Sequence, residues 1–145
     1  QIAAVAVSLE EASTARFRAY ARQVRANART LAEELAHMGW HIISGGTDSH
    51  VFLMDTEKRG IGGRQAQELL EHVKIIVNKN TIPYDTRSPM DPSGIRIGTP
   101  ALTTRGMREK EMKEVASLIH DTLMNADADV ILKRVKALCK RFPIS

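Results

Sequence analysis

Apolar side chains recur along residues 14–38 at steps of three and four: Phe17, Tyr20, Ala21, Val24, Ala28, Leu31, Leu35 and Met38. That spacing predicts a long amphipathic helix with one face on a core, and Gly39 is placed to end it. Residues 1 to about 13 are rich in alanine and valine and predict a preceding helix. After Gly39 the period changes. Trp40-His41-Ile42-Ile43 predicts a strand, Gly45-Gly46-Thr47-Asp48 a turn, and Val51-Phe52-Leu53-Met54-Asp55 a second strand paired with the first. Residues 58–63, Lys-Arg-Gly-Ile-Gly-Gly, predict a flexible connection into a helix with Ala66, Leu69, Leu70 and Val73 on one face.

Ile75-Ile76-Val77 predicts a third strand running into Asn78-Lys79-Asn80. From Thr81 to Ser93 the chain carries Pro83, Pro89 and Pro92, which rules out a regular ladder and predicts a long loop ordered by its surroundings. Ile95-Arg96-Ile97 between Gly94 and Gly98 predicts a further strand, and residues 100–106 a short turn. Met112, Val115, Ala116, Ile119 and Leu123 mark the inner face of another helix. Asp127 is placed to cap a last one, with Ile131, Val135, Leu138 and Phe142 inward. The pattern as a whole predicts one α+β domain, a small, mainly antiparallel sheet covered by helices.

Length fits this picture, since 145 residues suit a single domain with a substantial core. The single cysteine, Cys139, cannot form an internal disulfide, and no apolar run approaches the roughly 18 residues of a membrane span. The chain opens inside a helical pattern without Met, which predicts a segment of a longer protein. A net charge of +4 raises the question of nucleic acid, and Arg18, Arg22, Arg25 and Arg29 fall on one helical stripe with Arg16 close by. No aromatic side chain is interleaved with that stripe to stack bases, so it is read as a solvated or protein-facing surface and no nucleic-acid partner is expected.

Candidate chemistry is sparse. In the run 95–97, a strand places Ile95 and Ile97 on one face and Arg96 on the other, where a planar guanidinium suits a carboxylate or phosphate. His37, His41, His50, His72 and His120 lack metal-ligand spacing, and no nucleophile elbow or phosphate-loop motif is present. His50 beside Asp48 offers a base, although a histidine after a turn more often serves structure. The residues describe part of a binding site rather than a complete catalytic centre.

Three blocks, Ser44-Gly45-Gly46-Thr47-Asp48-Ser49-His50, Asn78-Lys79-Asn80-Thr81-Ile82-Pro83 and Ser93-Gly94-Ile95-Arg96-Ile97-Gly98-Thr99-Pro100-Ala101, resemble in order and spacing the carboxy-terminal part of the serine hydroxymethyltransferase family. The resemblance covers nearly the whole chain. It implies the small domain of a bacterial-type, fold-type I enzyme dependent on pyridoxal 5'-phosphate. Such an enzyme interconverts serine and glycine and transfers a one-carbon unit to tetrahydrofolate. Residues 1–39 are then a helical lead-in from a large domain and residues 40–145 the α+β core. The intact enzyme is expected to be a cytoplasmic homodimer without membrane partners.

By the same resemblance Arg96 holds the substrate carboxylate, Asn80 hydrogen-bonds the pterin, and Ser88, Pro89 and Met90 lie along the folate. The threonine-rich His-Lys run that carries the family's Schiff-base lysine does not occur here, and Lys79 lies in the wrong block to replace it. The chain alone is therefore expected to be inactive. One departure stands out: many bacterial relatives carry Phe at position 90 followed by Val-Thr, whereas this chain has Met90-Asp91-Pro92. Two alternatives remain open: a stand-alone binding module offering Arg96 and the basic helix, and the small domain of a related pyridoxal-phosphate aldolase.

Overall fold

The computed structural model describes residues 1–144; Ser145, the last residue of the expected 40–145 core, lies outside them. Ten elements follow one another: α1 (Ile2–Ser13), α2 (Ala15–His37), β1 (His41–Ile42), β2 (Val51–Asp55), α3 (Gly63–His72), β3 (Asn78–Asn80), β4 (Gly94–Gly98), α4 (Pro100–Thr104), α5 (Glu109–Leu123) and α6 (Ala128–Arg141). The four strands form one antiparallel sheet in the order β1-β2-β4-β3. The α+β reading and the pairing of the first two strands hold.

α2 is the longest element, and local chemistry sets both its ends. The Thr14 hydroxyl accepts from the Phe17 amide at 3.1 Å, satisfying one of the donors that a helix start leaves unpaired. At the other end Gly39 adopts φ +84°, and the amides of Gly39 and Trp40 donate back to Ala36 and Leu35. This reversal needs a left-handed residue, which glycine supplies without a Cβ penalty. The expected stripe is buried at Val24, Ala28, Leu31 and Leu35, and α2 packs chiefly on α5, where Met112, Val115, Ala116 and Ile119 are buried. Phe17, expected inward, is substantially exposed near the start of α2.

Paired residues of an antiparallel ladder share a face. The rows Ile42–Met54–Ile95–Lys79 and Phe52–Ile97 therefore make one face, whose five apolar side chains are buried beneath the helices. The rows His41–Asp55–Gly94–Asn80 and Leu53–Arg96–Asn78 make the other.

Further local expectations need correction. Ile75–Val77 is not the third strand. Lys74 turns at φ +68° and the Ile75 amide donates to Leu70 at the end of α3, so these residues carry the chain from helix to sheet. The ladder begins only at Asn78, as an edge strand whose Lys79 amide is taken by Gln67 of α3. The first strand is also shorter than expected, because Ile43–Gly45 coils into a 3-10 turn with Ser44 at φ +62°. Residues 100–104 form a one-turn helix rather than a plain turn, with Pro100 at its first position, where a missing amide costs nothing.

The expected flexible connection is packed. Gly63 is buried and its amide donates to the Pro92 carbonyl at 2.7 Å. A Cβ there would collide with the Gly94 carbonyl oxygen, so the glycine permits α3 to start against β4.

Candidate functional site

β4 holds Arg96 in a ladder bonded on both sides, to Leu53 of β2 and Asn78 of β3. Its neighbours Ile95 and Ile97 are locked in the core, so the strand backbone cannot turn the arginine away without exposing them. Arg96 itself is exposed, and its guanidinium makes no hydrogen bond or ion pair among the described residues. Five other arginines are held in ion pairs: Arg29 with Asp48, Arg64 with Glu68, Arg87 with Glu57 and Asp91, Arg134 with Asp121, Arg141 with Glu114.

Asn80 lies on the same face as Arg96, diagonally across the β3–β4 ladder because its direct partner is Gly94. Its Nδ2 donates to the Thr81 carbonyl at 2.7 Å, fixing the amide while the side-chain oxygen remains open as an acceptor. Between the two, Ile82 covers Gly94, whose missing Cβ would meet Ile82 Cγ2 at 2.6 Å. Leu53 and Val51 are half-buried beside the arginine and give the face an apolar floor.

The loop from Thr81 to Ser93 is anchored at its centre by Asp85. That carboxylate accepts from the amides of Ile82, Arg87 and Ser93 and from the Ser93 hydroxyl, at 3.2, 2.9, 3.0 and 2.7 Å. The Ser93 amide and hydroxyl, more than the other donors, hold the Asp85 carboxyl well below the usual carboxylate range. Ser93 in turn is bound from behind, where the amide and hydroxyl of buried Thr56 both donate to its carbonyl. At the tip the Ser88 hydroxyl accepts from the Met90 amide, and the Asp91 amide donates to the Ser88 carbonyl. Pro89 and Met90 stand exposed on that turn, while Lys79 Nζ reaches up from β3 to the Met90 carbonyl at 2.8 Å.

The structure thus brings Arg96 and Asn80 onto one face, and it ties the Ser88–Met90 tip to β3 through Lys79, whose register with Ile95 belongs to the opposite face. It does not assemble a base from His50 and Asp48. The Asp48 carboxylate pairs with Arg29 at 2.7 Å, and His50 contributes its backbone carbonyl to the Thr99 amide. The α2 arginine stripe borders a cleft of about 300 Å³ with Thr47 and Asp48, and Arg25 donates to the Asp48 carbonyl. Among the described residues no group of three or more His, Cys, Asp or Glu is placed to hold a metal ion. Among the described residues no helix is long and apolar enough to cross a membrane.

Sequence reasoning missed Asp85 and Arg87, the residues that give the loop its shape. Polar residues between prolines signal a loop but not which of them bind inward. A buried network under α4 was missed as well. Asn27 interrupts the apolar stripe of α2, and its amide donates to Thr103 Oγ1 and the Met107 carbonyl, while Thr99 Oγ1 donates to the Val24 carbonyl. These bonds fix α4, and with it the end of β4, against α2.

A model of the family described as serine hydroxymethyltransferase matches residues 1–119, a span that includes the sheet, the loop and every candidate residue. The chain belongs to the serine hydroxymethyltransferase family.

Proposed function

We propose that this chain is the carboxy-terminal small domain of a serine hydroxymethyltransferase, and that it supplies the groups that hold the amino acid and the folate. The observation that carries this reading is Arg96: a guanidinium on a rigid strand, without a partner among the described residues, beside an apolar floor and an open amide. A bidentate pair with the carboxylate of serine or glycine orients the amino acid so that the bond to be broken stands in one fixed direction. Asn80 offers donor and acceptor positions to a pterin edge, and Ser88, Pro89 and Met90 form a ridge along which the folate lies. Methionine at position 90 keeps an adaptable apolar surface there.

The residues present fit the substrate end of such a site and not the cofactor end. Lys79, the lysine within the Asn78–Asn80 strand, pairs with Ile95 rather than Arg96, and its amine is engaged by the Met90 carbonyl. Pyridoxal phosphate belongs to the intact enzyme, where it supplies an electron sink. This chain's contribution is binding and orientation. The exposed apolar side chains of α1, Ile2, Val5, Val7 and Leu9, support the view that this helix docks on the rest of a cytoplasmic, homodimeric enzyme.

The test is Arg96→Lys in the full-length enzyme. Lysine keeps the charge and loses the fork, so serine affinity is expected to fall roughly tenfold to a hundredfold, the value of one or more charge-assisted bonds. Near-normal serine affinity would overturn the assignment. The isolated chain is expected to show no serine cleavage.

A further inference from the structure

The Glu57–Arg87–Asp91 cluster lies beside the proposed folate ridge without belonging to it. Arg87 Nη1 contacts Glu57 Oε2 at 2.9 Å, on the 3-10 turn that follows β2. Its Nη2 pairs with Asp91, and its Nε donates to the Asp91 carbonyl at 3.0 Å. One guanidinium therefore joins both ends of the Ser88–Met90 turn to a fixed part of the domain. The plane has a floor made for it: a Cβ on Gly62 would stand 2.9 Å from Arg87 Nη2 and 3.3 Å from Cζ.

Asp91 and Pro92 are both engaged here. Asp91 supplies the carboxylate four residues after Arg87, and the Pro92 carbonyl accepts from the buried Gly63 amide.

We infer that Arg87, clamped between Glu57 and Asp91 over Gly62, is the positioning residue that presets the Ser88–Pro89–Met90 ridge for the folate co-substrate; this rests on the reading that the ridge lies along the folate. Its side chain is one-third exposed and both partners are more so, which makes the clamp a minor contributor to global stability. Its effect is local. A loop already held in its bound shape loses less freedom when the ligand arrives.

The experiment uses Arg87→Gln and Gly62→Ala in the full-length enzyme, with tetrahydrofolate as the probe. Gly62 has φ −61° and ψ 151°, which alanine tolerates, so this variant displaces the guanidinium without removing a charge. The tetrahydrofolate KM is expected to rise about tenfold in Arg87→Gln and about threefold in Gly62→Ala, with kcat and serine KM unchanged, the signature of lost uniform binding. Cleavage of a 3-hydroxy amino acid that needs no folate is expected to stay at the parent rate. Amide hydrogen exchange is expected to quicken at residues 86–91 and not in β4.

An unchanged tetrahydrofolate KM in both variants overturns the inference. So does a parallel rise in serine KM together with a lowered melting temperature, because that marks a merely structural role. Asn80→Ala separates the two failures. If it raises the tetrahydrofolate KM while the Arg87 variant does not, the clamp falls and the folate reading stands. If neither does, the folate reading falls with it.

Discussion

The two faces of the sheet share four strands and differ in what completes them. On the covered face Ile42, Phe52, Met54, Ile95 and Ile97 are finished by the chain's own helices. On the open face Arg96, Asn78 and Asn80 are exposed or half-buried, and Arg96 finds no partner among the described residues. Adjacent residues of β4 thus answer to different requirements. Ile95 and Ile97 gain from leaving water, while Arg96 is held in it by their burial. With Arg96 as the proposed carboxylate-binding residue, the difference predicts that stability and ligand binding separate under mutation.

The largest effect is expected on the covered face. Met54 is fully buried between paired strands, so Met54→Ala removes side-chain contacts and leaves a cavity, at a cost of about 2–5 kcal/mol. Urea denaturation reads this as a lower midpoint with an unchanged slope. Arg96→Lys, by contrast, should leave the midpoint in place while serine affinity falls. If Arg96→Lys lowered the midpoint as Met54→Ala does, the two faces would not be separable and the comparison would break.

The covered face was legible because burial repeats. Steps of three and four in α2 and α5, and alternation in β2 and β4, follow from geometry that each element carries in its own residues. The pattern failed where a segment is apolar for another reason. Ile75, Ile76 and Val77 bridge α3 to the sheet edge, with Val77 buried and Ile76 exposed, so their hydrophobicity marks a crossing rather than a strand. The polar Asn78–Asn80 takes the ladder instead, because β4 offers it a register.

On the open face the outcome was mixed. Alternation placed Arg96 opposite Ile95 and Ile97, but nothing in that spacing says what the arginine is for, and the family resemblance carried that step. Asp85, Arg87 and Gly62–Gly63 act through partners up to 30 residues away, as in the Arg87–Glu57 bond, and such pairings leave no periodic trace. Asn27 was hidden for a related reason, since a polar residue inside an apolar stripe reads as an interruption until its three bonds to Gln23, Thr103 and Met107 are seen.

Asp85→Asn sharpens the comparison from the loop side. Asparagine turns one acceptor oxygen into a donor that faces the amides and hydroxyl now bound there. Because the folded-state ionisation lies well below the ordinary value of 3.8, the contribution of this carboxylate is fully present above that value and fades only as pH falls toward the folded one. The gap in urea midpoint between parent and Asp85→Asn should therefore be constant from pH 5 to 8 and close only in strong acid. A gap that closed near neutrality would mean that another group, not Asp85, anchors the loop. Hydrogen exchange should locate the loosening at residues 82–93 and leave β2 unchanged.

The smallest effect is expected from the arginines that the comparison sets against Arg96. Arg29 meets Asp48 at 2.7 Å with 58% and 83% of the two side chains exposed. A pair so open to water contributes at the low end of about 0–1 kcal/mol and is screened by salt. Arg29→Gln should thus shift the urea midpoint barely above error, and the shift should vanish as salt is raised. Serine affinity should not move, because this guanidinium already has its carboxylate within the chain. The contrast with Arg96→Lys is then between two exposed arginines of equal charge, distinguished by whether the fold supplies a partner. A loss of serine affinity in Arg29→Gln would show that net positive charge, rather than a placed fork on β4, draws the substrate in.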